Sequence, residues 1–104
     1  MTATQESTKS ITVIGRRWFN RGPGNTYHSA AILVNGKRVG GIDFAYGYGE
    51  MYLQNAADWL EANGYMPERE HHNNGSADPL WSYCRDRGIE FADSVSDVSR
   101  RKDL

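Results

Sequence analysis

Residues 26–44, TYHSAAILVNGKRVGGIDF, consist of two β-prone runs joined by Asn35-Gly36. An Asn-Gly pair between two such runs predicts a β-hairpin, because a type I′ turn requires positive φ at both central residues. A two-residue loop also fixes the register of the strands. Val34 is therefore expected opposite Lys37, and His28 opposite Asp43.

The two faces of this hairpin are not equally bulky. One face carries His28, Ala30, Ile32, Val34, Lys37, Val39, Gly41 and Asp43, and the other carries Tyr27, Ser29, Ala31, Leu33, Arg38, Gly40, Ile42 and Phe44. The second face holds the larger side chains and a Tyr27–Phe44 cross-strand pair, so it is predicted to face the core. Its central residues Ala31 and Gly40 would let a helix approach closely. A bulge at Gly40-Gly41 would instead change the face of every residue beyond it.

The elements on either side of the hairpin complete the fold prediction. The run from Ser10 to Phe19 predicts a first strand, and helical apolar spacing predicts a helix from residue 49 or 50 to Asn63. Asp78-Pro79 predicts the start of a second helix, with Asp78 as its N-cap. The expected class is α+β: a three-stranded antiparallel sheet followed by two helices packed on one face, with room for a short extra C-terminal strand at residues 89–91.

The expected organisation is a disordered N-terminus at residues 1–9, one α+β domain at 10–92 and a flexible tail at 93–104. Residues 68–77 form a polar loop, which is predicted to be the most mobile part of the domain. An exposed edge on the first strand would permit a homodimer by strand pairing.

Charge is unevenly distributed along the 104 residues, although the net charge is only −1. Residues 9–46 contain six basic side chains and one acid, whereas residues 47–99 contain three basic side chains and ten acids. The sheet is therefore predicted to be basic and the helical half acidic. The single cysteine and the absence of a long apolar run favour a soluble protein of a reducing cytosol, with no contact with membranes.

No catalytic or metal constellation emerges from the sequence. The candidate metal ligands His28, His71, His72, Asp43 and Cys84 lack the spacings typical of zinc sites. A His28–Asp43 pair across the hairpin would suit a general base, but an ion pair is the more common use of such neighbours. The Tyr46-Gly47-Tyr48-Gly49 run matches no phosphate-binding motif, so it is interpreted as a sharp turn. The protein is expected to be non-enzymatic, without cofactor or metal.

Two kinds of binding surface are compatible with the sequence. Basic residues interleaved with aromatics on the sheet are typical of nucleic-acid contacts, and twelve aromatics with nearby arginines are typical of protein interfaces. The candidate binding residues, for protein or nucleic acid, are Arg16, Arg17, Trp18, Arg21, Lys37, Arg38, Tyr46 and Tyr48. The acidic surface of the helical half, which includes Glu50, Asp58, Glu61, Glu68 and Glu70, is the alternative contact.

Three short segments carry a resemblance that covers about residues 11–64. Trp18-Phe19, Gly24-Asn25-Thr26-Tyr27-His28-Ser29 and Tyr46-Gly47-Tyr48-Gly49 resemble a pattern in small accessory proteins of tailed bacteriophages and prophages. The resemblance implies a phage early or accessory protein in the host cytoplasm. Such proteins often inhibit a host protein, and they include anti-CRISPR and other anti-defence inhibitors.

The expected function is therefore that of a small phage protein that binds and inhibits or redirects a host macromolecule, such as a protein or ribonucleoprotein complex. An anti-CRISPR or other anti-defence inhibitor is the form this function would take. The alternative is a small nucleic-acid-binding domain that uses the basic face of its sheet.

Overall fold

The structure, a computed structural model, describes residues 8–47, 49 and 51–104. Its elements are β1 (Ser10–Asn20), β2 (Asn25–Val34), β3 (Lys37–Tyr46), α1 (Met51–Ala62), α2 (Leu80–Asp86), β4 (Glu90–Val98) and a 3₁₀ turn (Arg101–Asp103). This arrangement confirms the α+β class with two helices. Most of the expected disordered segment, residues 1–7, and the candidate residue Tyr48 lie outside the described residues.

The sheet has four strands in the order β3-β2-β1-β4. The first three are antiparallel, as predicted, but β4 pairs parallel with β1 over nine consecutive residues. β4 extends to Val98, so the tail expected at residues 93–104 begins inside a full strand. Because β1 lies between β2 and β4, the predicted free edge on the first strand is wrong.

The hairpin turn forms as predicted, with φ of 54° at Asn35 and 81° at Gly36, and Val34 opposes Lys37. Beyond this point the predicted register fails, because β3 contains two irregularities. Val39 is inserted between the pairs Leu33–Arg38 and Ile32–Gly40, and a second irregularity lies opposite Ser29.

The second irregularity moves the partner of His28 along β3. His28 opposes Ala45 rather than Asp43. The predicted His28–Asp43 pair is therefore wrong, and with it the general-base interpretation.

The core lies on the face of the sheet opposite to the predicted one. Ile32 is fully buried, Ala30 and Val34 are nearly so, and Ile11 and Val13 of β1 join them. The face with the larger side chains was expected inside because bulk usually marks the core. Here the buried face holds Ile11, Val13 and Ile32, and Gly15 and Gly40 leave room on it for large side chains of α1.

Two glycines show this division of volume between sheet and helix. A Cβ at Gly15 would lie 2.6 Å from the ring of Tyr52, and a Cβ at Gly40 would run into the indole of Trp59. Gly40 thus admits the helix as predicted, but from the opposite face. Small sheet residues and large helix residues are therefore complementary in shape.

The two helices close the core on this side. α1 buries Ala56, Ala57 and Leu60, and α2 adds Tyr83 and Cys84, with neighbouring Met66 in the same cluster. The predicted N-cap Asp78 makes no capping hydrogen bond to α2. Among the described residues, no helix has both the length and the apolar character needed to cross a membrane.

Candidate binding face

The face of the sheet that points away from the helices carries a row of aromatic rings. We call it the outer face; it includes Ile14, Arg16, Trp18, Tyr27, Ala31, Leu33, Arg38, Phe44 and Tyr46. The ring centroids of Trp18 and Tyr27 lie 5.8 Å apart, and those of Tyr27 and Phe44 lie 4.8 Å apart, both stacked. Tyr46 meets Tyr27 edge-on at 5.6 Å. These four rings, which we call the aromatic row, extend over three strands.

Strand register explains how the row forms. Trp18, Tyr27 and Tyr46 are direct neighbours across β1, β2 and β3. Such cross-strand aromatic pairs stabilise sheets by about 0.2–1 kcal/mol each. Phe44 lies two residues before Tyr46, so strand alternation places it on the same side, where it stacks on Tyr27. Tyr27 and Phe44 were predicted to be core residues, so the cross-strand pair is present but on the outer face.

The chain after β4 lies against this row. The guanidinium of Arg101 stands 4.6 Å from the centroid of Phe44, and Arg16 donates a hydrogen bond to the carbonyl of Asp103 at 3.4 Å. Phe44 belongs to β3 and Arg16 to β1, so residues 99–104 cross the outer face. Arg101 is not among the predicted binding residues, because the composition of residues 93–104 predicts a flexible tail.

Basic side chains divide sharply between the two sides of the sheet. Among the described residues, seven Lys or Arg side chains have no carboxylate oxygen within 4.0 Å of their nitrogen atoms. They are Lys9, Arg16, Arg21, Lys37, Arg38, Arg101 and Lys102. They lie on the outer face, in the segment that crosses it, or at the two ends of the sheet. The outer face therefore carries uncompensated positive charge.

Most of the other arginines are on the helical side, and each is paired. Arg17 points to that side, where its Nε lies 3.2 Å from Asp97 and its Nη1 donates to the carbonyl of Gly49. Arg85 pairs with Asp86, Arg87 with Glu68, and Arg100 with Asp103. The structure thus separates Arg17 from the other predicted binding residues. Arg16, Trp18, Arg38 and Tyr46 share the outer face, while Arg21 and Lys37 stand at its ends.

The acidic helical half is organised around a buried arginine. The side chain of Arg69 is 3% exposed, and its guanidinium contacts Asp58 at 2.7 Å and Glu61 at 3.1 Å. Its Nε also donates to the carbonyl of Asp78 at 2.8 Å. His71 adds a contact of 2.7 Å to Glu61. Asp58 and Glu61, two of the acids expected to form an alternative binding surface, thus attach the loop at 68–77 to α1.

This cluster predicts a pH dependence of stability. The hydrogen bond from His71 is the main cause that holds the pKa of Glu61 below its ordinary value of 4.5; burial opposes it, and Arg69 lowers the pKa further. A lowered pKa in the folded state contributes stability above pH 4.5 that is lost as the pH falls through the folded value. Urea unfolding between pH 3 and 6 is expected to show a smaller loss of stability on acidification in Glu61→Gln than in the parent. An equal loss in both proteins would contradict this.

The candidate catalytic groups are occupied or inaccessible. His28 is 1% exposed; its Nδ1–H donates to the carbonyl of Gly47 at 3.2 Å, and Asn55 donates to its Nε2 at 2.8 Å. Burial raises the pKa of the Cys84 thiol to about 11, so the nucleophilic thiolate is scarce at neutral pH. Within residues 8–47, 49 and 51–104, no three His, Cys, Asp or Glu side chains form a group that could hold a metal ion.

Gly47 and Gly49 lie between β3 and α1, where the sequence predicts a sharp turn. Gly47 and Gly49 have φ values of 146° and 64°, in the region that favours glycine.

Two open clefts flank this turn. One of about 650 Å³ is lined by Trp18, Phe19 and Arg21, and one of about 810 Å³ lies between α1 and α2. The polar groups of the second cleft include Asp58, Arg69 and His71, which are already paired with one another or with Glu61.

Comparison of the chain with family models, with curated proteins and with solved structures gives no significant match.

Proposed function

We propose that this protein is a small, non-enzymatic inhibitor that binds a host macromolecule through the outer face of its sheet. The setting is that of a phage accessory protein in the host cytoplasm, as the resemblance of residues 11–64 implies. The target is a protein or ribonucleoprotein complex of the host's defence, such as a CRISPR–Cas effector.

The observation that carries the proposal is the contrast in charge between the two sides of the sheet. Arginines on the helical side have carboxylate partners, whereas Arg16 and Arg38 on the outer face have none within the part of the chain that the structure describes. Complementary charge steers partners together and favours one surface over others. A cationic surface without internal partners therefore fits an anionic surface on another molecule.

Exposed rings support the same face. Tyr46 is 62% exposed and Phe44 is 42% exposed, although both are large and partly apolar. Aromatic residues and arginine are enriched among the residues that dominate binding energy at interfaces. The acidic helical face is the weaker alternative, because the carboxylates of Asp58 and Glu61 are bound by Arg69.

The test is capture of a defence complex by the tagged protein, combined with a functional readout. A stoichiometric complex is expected from the lysate of a host with an active CRISPR–Cas system, and expression in that host is expected to raise the plating efficiency of a targeted phage. A double variant, Arg16→Gln with Arg38→Gln, is expected to lose both effects, because it removes two unpaired cations from the outer face.

A matched control keeps the change in charge but moves it to the helical side. Arg85→Gln with Arg87→Gln also removes two positive charges, and this variant is expected to behave as the parent does. If the control variant loses capture and the outer-face variant keeps it, the contact is made by the helical side. If the parent neither captures a complex nor changes plating, the proposed function is wrong.

A further inference from the structure

We infer that the anionic partner of the outer face is the phosphate backbone of a single-stranded nucleic acid. The inference rests on the proposed function, since it names the part of the host macromolecule that the outer face contacts. It starts from the guanidinium groups on this side that have no carboxylate partner among residues 8–47, 49 and 51–104: Arg16, Arg21, Arg38 and Arg101. Guanidinium binds phosphate with paired, directed hydrogen bonds.

The aromatic row favours a polyanion over an apolar protein surface. Tyr27 has Trp18 stacked on one side and Phe44 on the other, and Arg101 lies over Phe44. Tyr27 is thus covered on both sides within the protein, whereas Phe44 and Tyr46 remain 42% and 62% exposed. The row acts as a rigid support that holds cations at the surface, and charge remains the main feature offered to a partner.

The cations are spread over a length that suits a strand rather than a single phosphate. Arg16 pairs with Ser29, whereas Arg38 pairs with Leu33, which in turn pairs with Thr12. This register separates Arg16 from Arg38 by four residues along the strands and by two strand spacings, or about 17 Å. Arg101, over Phe44, belongs to the segment that crosses the face. A chain of several nucleotides would span these positions.

Two features favour unpaired bases over a duplex. Tyr46 contacts Tyr27 only edge-on and is 62% exposed, so its ring is available for stacking. The open cleft of about 650 Å³ at the end of β1 brings Trp18 of the aromatic row beside Arg21. Only bases outside a duplex stack on such rings, and stacking of this kind tolerates any base. We therefore expect little sequence preference.

The test is fluorescence anisotropy of the full chain with labelled (dT)20 and (U)20 at 50–200 mM salt. Four phosphate contacts predict a slope of log K against log salt of about −2.8, so affinity falls by about 50-fold over this range. The Arg16→Gln/Arg38→Gln variant is expected to bind more weakly, with a slope reduced by about 1.4, since two contacts are lost. Tyr46→Ala is expected to weaken binding about tenfold without changing the slope.

Matched controls separate this inference from the proposed function. The Arg85→Gln/Arg87→Gln variant has the same net charge as the outer-face variant, and it is expected to bind the oligonucleotides within about twofold of the parent. Circular dichroism and thermal melts establish that each variant is folded. Absence of binding at 50 mM salt overturns the inference, as does equal weakening by both double variants. If the parent still captures a defence complex through Arg16 and Arg38 in that case, the proposed function stands and its partner surface is protein.

Discussion

A His28→Ala variant is expected to lose about 3 kcal/mol of the free energy of unfolding, which is a large share of the stability of a small domain. His28 is 1% exposed, and both of its ring nitrogens have partners. Alanine would leave a cavity beneath the turn that connects β3 to α1. It would also leave the Gly47 carbonyl and the Asn55 amide without their partner, and such unpaired buried groups cost about 1–3 kcal/mol.

The hydrogen bonds also assign the tautomer of this histidine. The Gly47 carbonyl only accepts, so Nδ1 carries the proton, and Nε2 accepts from the Asn55 side chain. Long-range ¹H–¹⁵N NMR spectra are therefore expected to show a proton on Nδ1 of His28 and Nε2 as a hydrogen-bond acceptor. His28 thus joins the first part of β2 to Gly47 after β3 and to Asn55 of α1. This structural role replaces the catalytic role considered from the sequence.

The stability loss is measured by urea unfolding at neutral pH, with His72→Ala as the matched control. The side chain of His72 is 47% exposed and contacts Asp78 at 3.0 Å. Removal of such an exposed pair is expected to change the free energy of unfolding by less than about 1 kcal/mol. Equal losses in the two variants would show that His28 does not have the structural role assigned to it.

Gly40→Ala is expected to destabilise the protein by about 2 kcal/mol through overpacking. A Cβ at residue 40 would collide with the indole of Trp59 in α1. Trp59 has little room to retreat, because it stacks on Tyr65 with 6.1 Å between ring centroids. Elsewhere in a strand, alanine would be at least as stable as glycine, so destabilisation here reports the close approach of α1 to β3.

Thermal melts with two companion variants test this expectation. At Gly22 a Cβ would meet only the side-chain oxygen of Asn20 at 3.6 Å, so Gly22→Ala is expected to change stability by less than about 0.5 kcal/mol. Trp59→Leu removes the ring that causes the clash. The double variant Gly40→Ala/Trp59→Leu is therefore expected to be less destabilised than the sum of the two single changes. Additive effects would contradict a direct contact between Gly40 and Trp59.

Local chemistry accounts for the parts of the fold that were predicted correctly. The Asn35-Gly36 turn depends on positive φ at two adjacent residues, and the chain adopts 54° and 81° there. The helix expected to end near Asn63 ends at Ala62, with Gly64 at a φ of 85°. Turn and helix-end signals of this kind depend on a few adjacent residues, so they can be recognised without knowledge of the rest of the chain.

The candidate binding face was identified only in part from the sequence. Arg16, Trp18, Arg38 and Tyr46 were singled out as basic and aromatic residues of the sheet, and the structure places them together. Arg17 was included because it is adjacent to Arg16, although alternation along a strand sends it to the other side. Which cations lack a partner depends on where every carboxylate lies, and sequence order does not contain that information.

Tertiary packing decided the remaining features because they depend on contacts between distant segments. The strand predicted at 89–91 runs to Val98 only because β1 offers a free edge about 80 residues earlier in the chain. Arg69 is buried because the carboxylates of Asp58 and Glu61 converge on it from α1.

The composition of the hairpin of residues 26–44 does not show which of its two faces is buried. The face with the larger side chains is not the buried one, because Tyr52 and Trp59 of α1 fill the space that Gly15 and Gly40 leave open on the other face. The side with small residues became the core, and Tyr27, Phe44 and the unpaired arginines were left on the surface that another molecule is proposed to contact.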